Sequence, residues 1–184
     1  PDEHPGNWIR TTPGAYRVTF RQFFADWESE VPMAATIENL SRAGEAPPVF
    51  SSEALGEGLS GAARWVGVST RYWADKIDAW QARPNEFIAF AEIESAQIDA
   101  TPGGTPLISY WRVPPDQALV IRVRPPECDY WNCEFGNYWW ETMDYRYRFS
   151  STNCHHARLE KDGELLIIIS HADIGAKNWL DPCG

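Results

Sequence analysis

The sequence predicts an α+β protein in which helices precede strands. Before Pro84 the apolar residues recur every three to four positions, and after Pro84 they alternate in short runs separated by proline and glycine. Helices followed by several short strands favour a mostly antiparallel β-sandwich. We therefore expect a helical subdomain with an irregular N-terminal arm over residues 1–84. A β-sandwich or jelly-roll-like domain, truncated at its C-terminus, is expected over residues 85–184.

An aromatic stripe predicts the first helix. Five aromatic side chains recur at three- and four-residue intervals from residue 16: Tyr16, Phe20, Phe23, Phe24 and Trp27. Pro32 disfavours α geometry at the residue before it, so this helix is expected to end near Val31. A shorter helix or an extended piece is expected over residues 33–41.

A second, longer stripe predicts a helix from Ser51 or Ser52 to about Ala82. Either serine is a good N-cap, Glu53 favours the positive end of the helix dipole, and Pro84 prevents continuation. The residues expected to be buried on one face are spaced by four or three: Leu55, Leu59, Ala62, Val66, Ser69, Trp73, Ile77 and Trp80.

Five short apolar runs after Pro84 predict strands. Proline- and glycine-rich stretches separate them, and Asp162-Gly163 is a typical hairpin turn that follows a run at residues 157–159. The predicted strands are Phe87–Phe90, Leu107–Trp111, Ala118–Val123, Asp129–Phe135 and Leu165–Ser170.

Charge and hydropathy exclude two classes of partner. The 184 residues contain 16 Lys and Arg against 26 Asp and Glu, and the formal net charge of −10 repels nucleic acid. The longest apolar run, residues 165–169, is too short to span a bilayer, and residues 1–5 show no signal pattern. We expect a soluble protein, cytoplasmic rather than secreted, and a fragment at both ends because the chain lacks an initiator methionine and a polar C-terminal tail.

Aromatic residues are unusually frequent, with 10 Trp, 7 Tyr and 8 Phe, and they concentrate in residues 130–147. Strand alternation there puts Tyr130, Asn132 and Glu134 on one face and Trp131, Cys133 and Phe135 on the other, which is the natural core face. The aromatic residues could simply form the core. Alternatively, aromatic walls with a few polar anchors form a small-molecule or saccharide pocket. The expected ligand-binding residues are Trp139, Trp140, Tyr145, Asn137, Glu141 and Arg146.

Candidate catalytic groups are sparse. Glu134 and Glu141 could act as general acid and base, although spacing along one chain does not establish their separation. His171 and Asp173 share a strand face by their spacing, so the carboxylate could orient the imidazole. A histidine satisfied by the fold is the competing interpretation. Arg146 and Arg148, expected on one strand face, could pair with Glu141 or Asp144 or clamp a carboxylate ligand.

Cysteine spacing does not favour a metal site, and no cofactor is expected. Cys128, Cys133, Cys154 and Cys183 lack the usual tetrahedral zinc pattern, and residues 56–61 only approach a dinucleotide-binding motif. Four cysteines permit three disulfide pairings, so free thiols and one disulfide both stay open.

Several motifs in a fixed order resemble the bacterial "domain of unknown function 1214" family. The resemblance covers roughly residues 105–184, and the helical region upstream is also similar. The motifs are residues 129–131, 139–146, 150–153, 170–175 and 178–181. The resemblance implies a jelly-roll-like β domain, often joined to a second β domain, that continues beyond the last motif. Ile174 and Pro182 depart from the family pattern, Cys133 and Cys154 look peculiar to this chain, and the resemblance carries over no catalytic residue.

Three functions therefore compete. The leading prediction is a small organic or saccharide ligand bound in the aromatic segment. A hydrolase or lyase would use His171 with Asp173, or the carboxylates Glu134 and Glu141. A structural or assembly domain would use exposed aromatic residues, or the stripe of the long helix, to form a homo-oligomer.

Overall fold

The computed structural model describes residues 6–15, 17–47, 49–89 and 106–183. It confirms a mixed α+β chain. The described part contains a 3₁₀ turn at Leu40–Arg42, helix α1 at Ser52–Gln81, and seven strands: β1 Ile88–Ala89, β2 Leu107–Ile108, β3 Leu119–Val123, β4 Asn132–Glu134, β5 Ser151–Asn153, β6 Leu165–Ile169 and β7 Trp179–Leu180. Tyr16 and Phe90 of the predicted elements lie outside the described residues.

Helix α1 begins and ends where its sequence predicts. The Ser51 hydroxyl accepts a hydrogen bond from the Ala54 amide at 3.0 Å, and Glu53 lies in the first turn. The predicted burial of the whole stripe is wrong, however. Ile77 and Trp80 are buried, whereas the residues of the stripe up to Val66 are mostly exposed. Among the described residues, neighbouring elements therefore cover the helix near its C-terminal end only.

The predicted helix over residues 16–31 is wrong for the described residues 17–31, which form turns and irregular backbone. Asp26 provides part of the reason, because its carboxylate accepts hydrogen bonds from the Glu28 amide and the Ser29 hydroxyl. Such local bonds compete with helical backbone pairing. The aromatic residues also have partners far along the chain, since Phe23 contacts Tyr130 with ring centroids 5.2 Å apart. Residues 33–39 are likewise irregular, as the extended alternative predicts.

The central sheet has the order β3-β6-β7. β3 pairs antiparallel with β6, from Leu119 opposite Ile169 to Val123 opposite Leu165, and β7 pairs parallel with β6. The predicted turn at Asp162-Gly163 is confirmed, with Gly163 at φ 81° and its amide 3.0 Å from the Glu160 carbonyl. Residues 157–159 before it are not a strand.

The described residues also form two smaller antiparallel strand pairs. β4 pairs with β5, and the predicted alternation is confirmed, because Cys133 packs on the core whereas Asn132 and Glu134 are exposed. β1 pairs with β2, and just before β1 the Asn85 amide donates to the Tyr110 carbonyl at 2.8 Å. The Asn85 side chain accepts from the Arg112 amide at 2.7 Å and donates to the Arg112 carbonyl at 2.9 Å, as a neighbouring strand would.

The hydrophobic core lies within the strand-rich half. Residues 165, 167 and 169 of β6 point to one side and are almost fully buried, as the period of two requires. They pack with Val113, Phe135 and Leu180, and each buried aliphatic side chain of this kind contributes roughly 1.5–3 kcal/mol. This core positions β4 and the aromatic segment that follows it.

Candidate functional site

The aromatic segment that follows β4 is a closed loop, residues 136–142, which we call the Trp loop. A β-bridge between Gly136 and Thr142 closes it. The Asn137 side chain accepts from the Trp139 and Glu141 amides at 2.9 and 3.0 Å and donates to the Glu141 carboxylate at 2.6 Å. Asparagine is suited to such turns because its side chain mimics backbone. Asn137 and Glu141, expected to face a ligand, thus hold the loop in one shape.

Trp140 fixes the Trp loop to helix α1. Its backbone is left-handed, with φ 63°, and its ring lies 4.6 Å from the Trp73 ring and 5.5 Å from the Trp80 ring. These tilted contacts cover the C-terminal end of the α1 stripe. The principal contacts of Trp140 are therefore those of packing.

Trp139 and Tyr138 are neighbouring exposed rings of the Trp loop. The two rings form an edge-to-face pair at 4.9 Å, and 58% of the Trp139 surface is exposed. The Tyr138 hydroxyl lies 3.5 Å from an Asp78 carboxylate oxygen on α1. Trp139 thus presents its indole to solvent from a loop that its own hydrogen bonds and its contacts with α1 hold in place.

Residues 143–148 form a turn rather than the predicted strand. The Tyr147 and Arg148 amides both donate to the Asp144 carbonyl, and the Tyr145 ring meets the Trp27 ring edge-on at 5.8 Å. Arg148 pairs with Asp181 at 2.9 Å instead of Glu141 or Asp144. Arg146 is exposed, and its ligand-binding role stays a prediction. Trp139, Trp140 and Tyr145 therefore each face a different neighbour.

The histidine and carboxylate candidates have separate backbone partners. His171 Nε2 lies 3.0 Å from the Val113 carbonyl oxygen, which can only accept, so this nitrogen carries the proton. The Asp173 carboxylate accepts from the Gly175 amide at 2.8 Å. Glu134 is exposed on β4, whereas Glu141 is held by Asn137. A catalytic role for any of the four stays a prediction.

Asn153 is the residue of this region that sequence reasoning missed. It is buried at the end of β5, and its amide nitrogen donates to the Ala25 carbonyl at 2.9 Å. Its oxygen accepts from the amides of His155 and His156 at 2.9 and 3.1 Å. It therefore fastens residues 22–30, which we call the strap, to the β4–β5 pair. The available signal was an asparagine shortly before two adjacent histidines.

The strap also brings Asp26 near the histidine pair. The His155 ring nitrogen lies 4.0 Å from the Asp26 carboxylate, and the His155 and His156 rings meet edge-on. Hydrogen bonds from Ser29 and from the Glu28 amide, with the nearby imidazole, hold the pKa of Asp26 below its usual value. In the described chain, no three His, Cys, Asp or Glu side chains converge as metal ligands would.

The four cysteines are unpaired thiols. Burial, reinforced by the negative charge of Glu134, raises the pKa of Cys133 to about 11. Burial also raises the pKa of Tyr130, with smaller contributions from Cys154 and Glu134. Cys128 is exposed at the start of the aromatic segment, so it is the more accessible thiol.

Comparison with known proteins identifies a structural relative. No protein-family model and no curated protein matches the chain. A solved structure does resemble it. This crystal structure of an uncharacterised protein from Burkholderia cenocepacia is 32% identical with a TM-score of 0.72, and the match covers 77% of our chain. Our chain spans 40% of that protein's length, so the shared fold is a part of the larger molecule.

Over the described residues no helix has the length and apolarity needed to cross a bilayer.

Proposed function

We propose that the chain binds a small organic or saccharide ligand on the outer face of the Trp loop. The observation that carries this proposal is the indole of Trp139, more than half exposed on a loop whose shape is fixed by hydrogen bonds. An exposed indole offers a flat apolar face for the C–H face of a sugar ring. Because the loop is already ordered, little conformational entropy is lost on binding.

Polar groups beside Trp139 fit a neutral or cationic ligand. The Glu141 carboxylate and the Asp78 carboxylate near Tyr138 can accept hydrogen bonds from ligand hydroxyl groups. The formal net charge of −10 disfavours anionic ligands. Trp140 acts here as a positioning residue, because its ring holds the loop on α1 and leaves Trp139 outside.

Asn137, Tyr145 and Arg146 complete the proposed set with different roles. Asn137 maintains the loop, while Tyr145 and Arg146 are exposed on the turn that follows it and would contact a ligand that extends beyond Trp139. The proposed site is thus an open aromatic surface rather than an enclosed pocket.

Intrinsic tryptophan fluorescence, titrated with neutral mono- and oligosaccharides and a panel of small metabolites, tests this proposal. We expect saturable quenching or a spectral shift for at least one ligand, and its loss in Trp139→Ala. Trp65→Ala is the matched control, because Trp65 is an exposed tryptophan on α1 away from the loop. Equal binding by wild type and Trp139→Ala, or no response to any ligand, would overturn the proposal.

We further propose that residues 85–184 form a jelly-roll-like domain of the 1214 type, with residues 1–84 as its helical subdomain. The support is that the core cluster lies between Val113 and Leu180 and that, among the described residues, three of the four strand pairings are antiparallel. Such a domain would present the Trp loop at the end of β4, on the side next to α1.

A further inference from the structure

Trp139 and Tyr138 form an open aromatic corner. Their ring planes meet at 80°, the ring centroids lie 4.9 Å apart, and both rings are exposed to solvent. A flat indole alone suits the flat face of a sugar ring. Two rings at right angles instead contact a rounded group from two sides, and the face of each ring is the negative part of its quadrupole. The aromatic corner therefore favours a compact cation in both its shape and its electrostatics.

Two carboxylates accompany the aromatic corner. The Tyr138 hydroxyl lies 3.5 Å from an Asp78 carboxylate oxygen, and Glu141 follows Trp139 by two positions in the loop. Burial and the negative charge of Asp78 raise the pKa of Tyr138 above its usual value, so the phenol stays neutral and donates to Asp78. Asn137 donates to the Glu141 carboxylate at 2.6 Å and accepts from the Trp139 amide at 2.9 Å. Asn137 therefore fixes Glu141 relative to Trp139.

The negative charge of these two carboxylates is not neutralised by ion pairs. Among the described residues, no lysine or arginine forms an ion pair with Asp78 or Glu141. The basic residues on either side of Asp78 in the sequence have other contacts, since Lys76 lies over the Tyr72 ring and Arg83 pairs with a glutamate beyond the helix. A carboxylate beside an aromatic face adds Coulombic attraction to a cation–π contact, whereas it repels an anion. Charge complementarity thus selects a cationic ligand.

We propose that the ligand of the Trp loop is a small organic cation whose alkylammonium group lies in the aromatic corner, which rests on the ligand-binding function proposed for this loop. The alkyl groups contact the faces of Trp139 and Tyr138, and the positive charge is attracted by Asp78 and Glu141. A quaternary ammonium fits best, because it has no N–H groups that would need hydrogen-bond acceptors at the ring faces.

Choline and its neutral isostere, in which carbon replaces the nitrogen, are a matched pair of probes for isothermal titration calorimetry. We expect the wild-type chain to bind choline about tenfold more tightly than the isostere, because the cation–π contact and the carboxylates act on the charge alone. Raising the salt concentration from about 0.1 M to about 1 M shortens the Debye length from roughly 10 Å to roughly 3 Å. The choline Kd should then rise about threefold, whereas binding of the isostere should not weaken.

Two substitutions that remove one negative charge each locate the effect. Asp78→Asn keeps an oxygen that can accept from Tyr138, so the choline Kd should rise about three- to tenfold while the isostere binds as before. Glu57→Gln is the matched control at an exposed position about 30 Å away along α1, and it should leave choline binding unchanged. Trp139→Ala should raise the choline Kd about tenfold or more. Circular dichroism and thermal melts check that each variant is folded.

Equal affinity for choline and its isostere would overturn the cation proposal, as would choline binding that Trp139→Ala or Asp78→Asn leaves unchanged. Equal weakening by Asp78→Asn and Glu57→Gln would assign the effect to the net charge of the chain and would overturn it too. If a neutral saccharide binds through Trp139 and choline does not, the cation proposal fails while the ligand-binding function stands. If neither choline nor any other ligand binds, both fail.

Discussion

Truncation of Trp140 to alanine tests whether this ring serves packing. Trp140 is 44% exposed, so somewhat more than half of a surface of about 250 Å² is buried, which is worth about 3 kcal/mol at about 25 cal/mol per Å². Its contacts with Trp73 and Trp80 add about 1 kcal/mol. Alanine is as strained as tryptophan at φ 63°, so the backbone contributes little. We expect Trp140→Ala to lower the free energy of unfolding by about 3–4 kcal/mol.

Urea denaturation followed by circular dichroism measures this loss, and Trp139→Ala is the control. Trp139 is more exposed and has one ring partner, Tyr138, so its truncation should cost about 1 kcal/mol. Trp140→Gly should recover about 1 kcal/mol relative to Trp140→Ala, because glycine tolerates a positive φ. If Trp139→Ala costs as much as Trp140→Ala, or if Trp140→Ala costs under about 1 kcal/mol, the packing role is refuted.

Three further substitutions probe the strap, the β6–β7 junction and the buried thiol. Asn153→Ala should lower the free energy of unfolding by about 2–3 kcal/mol and expose the strap to limited proteolysis, because three backbone groups lose their hydrogen-bond partner. Unchanged cleavage would contradict this prediction. Asn178→Asp should destabilise the protein by about 2–4 kcal/mol in thermal melts. In the wild type the buried Asn178 amide donates to the Arg158 and Leu166 carbonyls, which a carboxylate would repel. An unchanged Tm would refute this prediction. Cys133 should react with iodoacetamide far more slowly than Cys128. The Cys133 thiol ionises near pH 9 in the unfolded chain and near pH 11 in the folded protein. As the pH rises between these values, the free energy of unfolding of the wild type should fall by about 2–3 kcal/mol, whereas Cys133→Ala should not show this loss.

Local signals predicted the elements whose formation is local. Ser51 and Pro84 mark the two ends of α1, and the period of two along residues 165–169 specified both β6 and its buried face. The strap shows the limit of such signals. Its helical spacing is real, but Asp26 closes a local turn and Asn153 binds the backbone from 128 residues away. Distant contacts of this kind override local propensity.

In the candidate site, too, local features were predictable and distant contacts were not. The sequence located the aromatic segment and the alternation along β4, because strand period and composition are properties of neighbouring residues. It did not separate Trp139 from Trp140, since that depends on a left-handed backbone at Trp140 and on the position of α1. Nor did it pair Arg148 with Asp181, which is 33 residues away in the chain.

The order of the elements along the chain matters during synthesis on the ribosome. Tyr138 and its partner Asp78 are 60 residues apart, so α1 emerges well before the loop that covers its C-terminal end. At roughly 5–20 residues per second the interval is about 3–12 s. Throughout this interval the nascent helix presents its whole apolar stripe to solvent and to other nascent chains. Substitutions that delay closure of the Trp loop should therefore lower the yield of folded protein in cells, even where the finished molecule is equally stable.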